Sequence, residues 1–129
     1  MNYLLDTKAL IAFFNNEDGA DKIERILREI DDNNAEGFVS AITLTELYYL
    51  YSRTRGERSA KDRIEQIKHS NLKVVVITAE IAMKAGEYKV KAIPIADSLI
   101  AASAQSVGAP VVTDDEHFET VGVKVVRFR

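Results

Sequence analysis

The sequence predicts an α/β fold, a three-layer α/β/α sandwich around a mainly parallel central sheet of about five strands. Three observations carry that expectation. Short runs rich in Val, Leu and Ile alternate with helical patterns along the whole chain. Most of these runs are continuously apolar rather than alternating, as in strands covered on both faces. Parallel strands also need crossover connections, which helices supply.

The first strand is expected at residues 3–6, where Tyr-Leu-Leu closes on Asp6, and a short helix at 8–15 follows, with Phe13 and Phe14 as packing or oligomer contacts. A helix at 18–32 runs into the polar stretch Asp31-Asp32-Asn33-Asn34, which reads as a loop. The second strand, 37–40, leads to a helix at 43–54, where Leu44, Leu47, Tyr48 and Tyr51 share one face at three-to-four spacing and are expected to be buried. A helix at 57–69 carries mostly charge, and the third strand lies at 73–77. Thr78 is placed to cap a helix at 78–91, with Glu80 in its first turn. Pro94 suits the first position of a helix at 94–107, and Gly108 is placed to end it. Small residues in that helix, among them Ala101, Ala102, Ser103 and Ala104, allow close approach to a neighbouring backbone, while Leu99 and Ile100 supply bulk. The remaining strands are expected at 110–113 and 123–128.

A length of 129 residues, with no linker, repeat or low-complexity tract, predicts one domain spanning 1–129. That size buries enough surface for a core without covalent staples. The absence of cysteine removes zinc-thiolate sites, thiol nucleophiles and disulfides, and favours a reducing compartment. No apolar run approaches membrane-spanning length, and the first residues carry Asp6 and Lys8 without a basic leader, so a cytoplasmic location and no membrane association are expected. The 17 basic and 20 acidic side chains give a net charge of −3, which argues against a surface that attracts nucleic acid everywhere. Local attraction stays open, because acids neutralised by bound cations would drop out of that balance.

In open α/β sheets, ligands bind beyond the carboxyl ends of the strands. Acids gather there in this sequence. Asp6 closes the first strand, Glu46 opens the helix after the second, Asp97 lies in the first turn of the Pro94 helix, and Asp114-Asp115 closes the fourth strand. Each has a local explanation: a cap for Asp6, a capping box in Thr43-Leu44-Thr45-Glu46, the helix dipole for Asp97 and a turn for Asp114-Asp115. Four segments delivering carboxylates to one end of a sheet point instead to a shared pocket. Such a cluster is costly unless a cation compensates it. With neither cysteine nor a His-rich motif, Mg²⁺ or Mn²⁺ fits the ligand set better than zinc or copper.

The segments Leu4-Leu5-Asp6-Thr7, Thr45-Glu46-Leu47, Ile95-Ala96-Asp97-Ser98-Leu99-Ile100-Ala101-Ala102-Ser103-Ala104 and Val111-Val112-Thr113-Asp114-Asp115-Glu116-His117-Phe118 together resemble the PIN-domain family. Within it the likeness is to the small VapC-type ribonucleases of prokaryotic toxin–antitoxin pairs, and it covers essentially the whole chain. The resemblance implies that Asp6, Glu46 and Asp97 are acidic metal-site residues, with Asp115 completing the set. Asp115 fits the family's T-x-D-x-x-F pattern, whereas Asp114 stands where the family often has Asn and is a second candidate. Thr7 and Thr113 match hydroxyl positions that would orient the carboxylates; turn and cap chemistry is the alternative. The resemblance also implies cleavage of single-stranded or structured RNA to 5′-phosphate and 3′-hydroxyl ends, a homodimer, and a small cognate antitoxin that covers the site.

Metal-assisted hydrolysis needs no side-chain nucleophile. The sequence offers no persuasive Ser-His-Asp or Cys-His set, and His69 and His117, in unrelated segments, read as surface or packing residues. Arg53, Arg55, Arg58, Lys61, Arg63 and Lys68 form the most basic stretch; of these Arg53, Arg55 and Arg58, with Lys8, are candidate phosphate contacts. A solvated helix face with ordinary ion pairs is the alternative. Tyr48, Tyr49 and Tyr51 offer stacking surface but read better as core or interface. A phosphatase of the haloacid dehalogenase type would place a second Asp two residues after the first, where Lys8 stands, and a receiver domain would carry its phosphoacceptor where Thr78 stands. A noncatalytic interaction module on the same fold, or a stand-alone housekeeping nuclease, are the remaining rivals.

Overall fold

In the computed structural model, which describes residues 1–129, the strands β1 (Asn2–Leu5), β2 (Glu36–Ser40), β3 (Leu72–Val75), β4 (Val111–Thr113) and β5 (Val125–Arg127) pair in the order β3-β2-β1-β4-β5. Every pairing is parallel. Helices α1 (Thr7–Phe14), α2 (Ala20–Asp31), α3 (Ala41–Arg55) and α4 (Glu57–Lys68) contribute to one core, and α5 (Ala79–Lys89), α6 (Ile95–Val107) and α7 (His117–Thr120) to another.

The central strands explain why their sequences are continuously apolar. Leu5 and Val112 pack into the first core while their neighbours Leu4 and Val111 pack into the second, and all four are fully buried. Successive side chains point to opposite faces, so a strand with a core on each side has no polar position to offer. The result is the three-layer sandwich. Between β1 and β4 the direction of winding reverses, and the crevice at that switch point lies beyond their carboxyl ends.

Several boundaries follow the expected chemistry. The Asp6 carboxylate accepts the Ala9 N–H at 2.8 Å to start α1, the Thr78 hydroxyl accepts the Ile81 N–H at 3.1 Å to start α5, and Gly108, at φ 65°, ends α6 in the left-handed conformation. The small face of α6 lets Ser103 Oγ come within 3.0 Å of Ser40 Oγ, pinning the helix to the end of β2.

Other boundaries differ. The capping box expected at Thr43 does not form: Ser40 caps α3, its Oγ accepting the Ile42 N–H at 3.4 Å, and Thr43 is fully buried. The chain passes from β2 directly into the helix with no loop between them, so Glu46 lies in the second turn rather than the first. Helix α2 begins at Ala20 instead of 18, because Gly19 sits at φ 88°, where a Cβ would run into the Phe128 carbonyl oxygen. Strand β3 stops at Val75, leaving Val76 and Ile77 exposed. Tyr48, expected in the core with Leu47 and Tyr51, is exposed. The one-turn helix α7 lies where only a strand-end turn was expected. No helix is long and apolar enough to cross a membrane.

Candidate active site

Beyond the carboxyl ends of β1 and β4 a cleft of about 450 Å³ is lined by Asp6, Thr7, Lys8, Glu46, Asp97, Asp115 and His117, with Ile11, Leu50, Pro94 and Ile100 as its apolar walls. Asp6 is its deepest charged group, only 3% exposed. One carboxylate oxygen is held by the cap of α1. Burial pushes this carboxyl up from 3.8 to about 7, and the charges of Asp114 and Asp97 push the same way, against hydrogen bonds from the Thr113 hydroxyl and the Ala9 N–H.

Around Asp6 the other groups are set by neighbouring elements. The Thr7 hydroxyl, on the first residue of α1, donates to Glu46 Oε1 at 2.5 Å and lies 3.1 Å from Thr43 Oγ1, which ties α1 to α3 and aims the Glu46 carboxylate. Asp97 enters from the first turn of α6, with its Oδ2 2.9 Å from His117 Nδ1. Asp115 accepts the His117 N–H at 2.9 Å and lies 3.1 Å from the same ring nitrogen. Burial raises the Asp115 carboxyl, but the His117 N–H, the His117 ring and Lys8 outweigh it and hold the group below its ordinary value. Lys8 Nζ reaches Asp115 Oδ2 at 3.5 Å from the exposed mouth of the cleft.

The remaining candidates lie outside the cleft lining. Thr113 stands behind it, accepting the Asp115 N–H at 2.9 Å and reaching Asp6. Asp114 turns aside: its Oδ2 takes Arg129 Nε at 2.7 Å, while its Oδ1 is buried without a hydrogen bond, 3.9 Å from Lys8 Nζ. Arg53 lies over the Tyr49 ring and Arg55 over the Tyr51 ring, with guanidinium carbons 5.4 and 5.7 Å from the ring centres. Arg58 is exposed on α4. None of these three arginines joins the acids: α3 carries Arg53 and Arg55 about two turns or more beyond Glu46, and Arg58 lies on the next helix, α4.

His117 enters the site although sequence reasoning set it aside. The signal was present in Asp115, whose side chain accepts the N–H two residues on, an Asx turn that folds the chain back. That turn brings the ring over Asp97, 20 residues away in sequence. A second hollow, between Leu10, Phe13, Phe14, Leu27, Ile67 and Leu72 with Arg63 at its rim, holds no carboxylate.

The sequence model of the PIN domain matches residues 3–124. The chain belongs to the PIN-domain family. Solved structures of the same fold include the DNA-bound VapBC complex of Salmonella typhimurium, at 22% identity and TM-score 0.78, with 100% of this chain and 99% of that one covered. VapBC2 of Rickettsia felis, bound to a promoter DNA fragment, gives 23% identity and TM-score 0.76 over 98% of each chain. The sarcin-ricin loop cleaving toxin VapC20 of Mycobacterium tuberculosis gives 18% identity and TM-score 0.74 over 96% of this chain and 98% of that one. No curated protein matches the chain in sequence.

The raised Asp6 carboxyl of this PIN domain has a measurable consequence. Its folded value of about 7 lies above the unfolded 3.8, so the folded chain holds this proton more tightly. The stabilisation is complete below the unfolded value and is lost as pH rises through the folded one, by at most about 4 kcal/mol. Metal-free protein is expected to lose Tm between about pH 5 and about pH 7 and to level off above that, and Asp6→Asn to flatten the slope.

Proposed function

We propose that residues 1–129 form a single nuclease domain, a Mg²⁺- or Mn²⁺-dependent endoribonuclease that hydrolyses phosphodiester bonds of single-stranded or structured RNA. The main support is the buried Asp6 carboxylate at the switch point, ringed in one cleft by Asp97, Asp115 and Glu46. The protein alone does not stabilise that charge, as the Asp6 carboxyl near 7 records. Lys8 is more than half exposed, too screened to compensate it.

The donor set fits a hard divalent ion, since it is oxygen-rich and free of sulfur. Asp6, Asp97, Asp115 and Glu46 would hold the metal, which when bound acidifies a water and stabilises charge on a phosphate. The rest falls to the chain itself. Thr7 keeps Glu46 aimed inward, and Thr113 does the same for Asp6. Lys8, at the mouth, is placed to meet a nonbridging phosphate oxygen. The apolar walls Ile11, Leu50 and Ile100 limit water around the acids.

The same reading makes the protein the toxin of a toxin–antitoxin pair, cytoplasmic, homodimeric and restrained by a small cognate antitoxin. It is supported by the shared fold with the VapBC complexes and with a toxin that cleaves an RNA loop. Exposed Tyr49, Val76, Met83, Val90 and Ile95 supply apolar surface for self-association.

Purified protein is expected to cut single-stranded RNA with either metal, leaving 5′-phosphates, to stop on addition of EDTA, and to lose activity in Asp97→Asn with an unchanged melting curve. A well-folded wild type that leaves varied RNAs intact with both metals, while binding a protein partner, would instead establish a noncatalytic module.

A further inference from the structure

The cleft contains one nitrogen donor, and its position gives it a use that the acids alone do not have. His117 Nδ1 lies 2.9 Å from Asp97 Oδ2 and 3.1 Å from Asp115 Oδ1. The three donor atoms all fall within 4.8 Å of one another. Neighbouring ligands on an octahedral ion with bonds of about 2.1 Å are roughly 3 Å apart, so the nitrogen already has the spacing of a cis ligand to each carboxylate. Two features fix the ring there. Phe118, the next residue, is fully buried, and the His117 N–H is held by Asp115. Mg²⁺ prefers oxygen, whereas imidazole suits first-row transition ions.

The geometry points to His117 as a metal ligand through Nδ1, one that makes the Asp97, Asp115 and His117 side of the cleft prefer Mn²⁺ to Mg²⁺. This rests on the metal-dependent reading above and deepens it. A ring that only clamped two carboxylates in place would favour neither ion.

Two measurements on the full chain decide the matter. In calorimetric titrations of the wild type, Mn²⁺ is expected to bind about tenfold or more tighter than Mg²⁺, and His117→Gln to weaken Mn²⁺ by about tenfold or more while changing Mg²⁺ by less than about threefold. Pulsed electron paramagnetic resonance of Mn²⁺ bound to wild type carrying ¹⁵N-labelled histidine is expected to show hyperfine coupling to the ring nitrogen. The spectroscopic arm needs no variant, so a folding defect in His117→Gln does not blunt it. Bound Mn²⁺ without nitrogen coupling, or equal weakening of both ions by the substitution, overturns the role of His117 and leaves the nuclease reading standing. If neither ion binds, even with RNA present, both readings are overturned.

Discussion

Asp6→Asn is expected to lower RNA cleavage by at least about 10³-fold, corresponding to about 4 kcal/mol of lost transition-state stabilisation, while leaving the metal-free fold intact. The asymmetry comes from the two jobs of this side chain. As the cap of α1 it presents an oxygen to the Ala9 N–H, and the amide oxygen of Asn does that equally well. As a buried charge beside Asp97 and Asp114 it is an electrostatic cost, which Asn removes. Melting temperature near neutral pH should therefore stay level or rise as activity disappears. Parallel cleavage assays and thermal melts check both halves; a variant cutting within about tenfold of wild type would place the reacting centre elsewhere.

Phe118→Ala is expected to destabilise the fold by about 3–5 kcal/mol, read as a lower urea midpoint with an unchanged slope. Its ring is fully buried among Leu4, Ile100 and Val111 in the second core, and it is the anchor of α7, a helix of 4 residues. A helix that short has no stability of its own. Its backbone carbonyl also receives the N–H groups of Val121 and Val123 at 3.3 and 3.2 Å, which closes the turn into β5. With the anchor gone, His117 and Asp115 lose their fixed approach, so activity in the folded fraction should fall as well. Comparing cleavage per folded molecule with the urea curve separates the two effects.

What the sequence revealed depends on where each signal resides. The buried strands were legible because a strand between two cores must be apolar at every position, as Leu4-Leu5 and Val111-Val112 are. Asp6 was legible for a related reason, as an acid that ends an apolar run at the carboxyl end of a central strand; Asp115 was singled out by the family pattern, since Asp114, which follows β4 directly, turns to Arg129 instead. The start of α3 was not, because Ser40 and Thr43 are equally good caps in isolation and only the direct passage out of β2 selects Ser40. Nor was the packing of Arg53 and Arg55 over Tyr49 and Tyr51, since charge density in a segment does not say which way guanidinium groups fold. Tyr48 was misplaced because helical periodicity marks a face without saying how much of it a neighbour covers. His117 was read as a surface or packing residue because its partner Asp97 comes from another element, and the turn at Asp115 does not by itself say what the ring meets.

The strand order also has a consequence for biosynthesis. β1 is the first strand to leave the ribosome, yet β4, the neighbour that forms the other bank of the crevice, is among the last. Lys8 and Asp115, which meet at its mouth, are separated by 107 residues. A growing chain therefore carries Asp6 and Glu46 for much of its translation without Asp97 and Asp115, the other carboxylates of the cleft. A message cut short upstream of β4 encodes a polypeptide that cannot assemble the pocket at all.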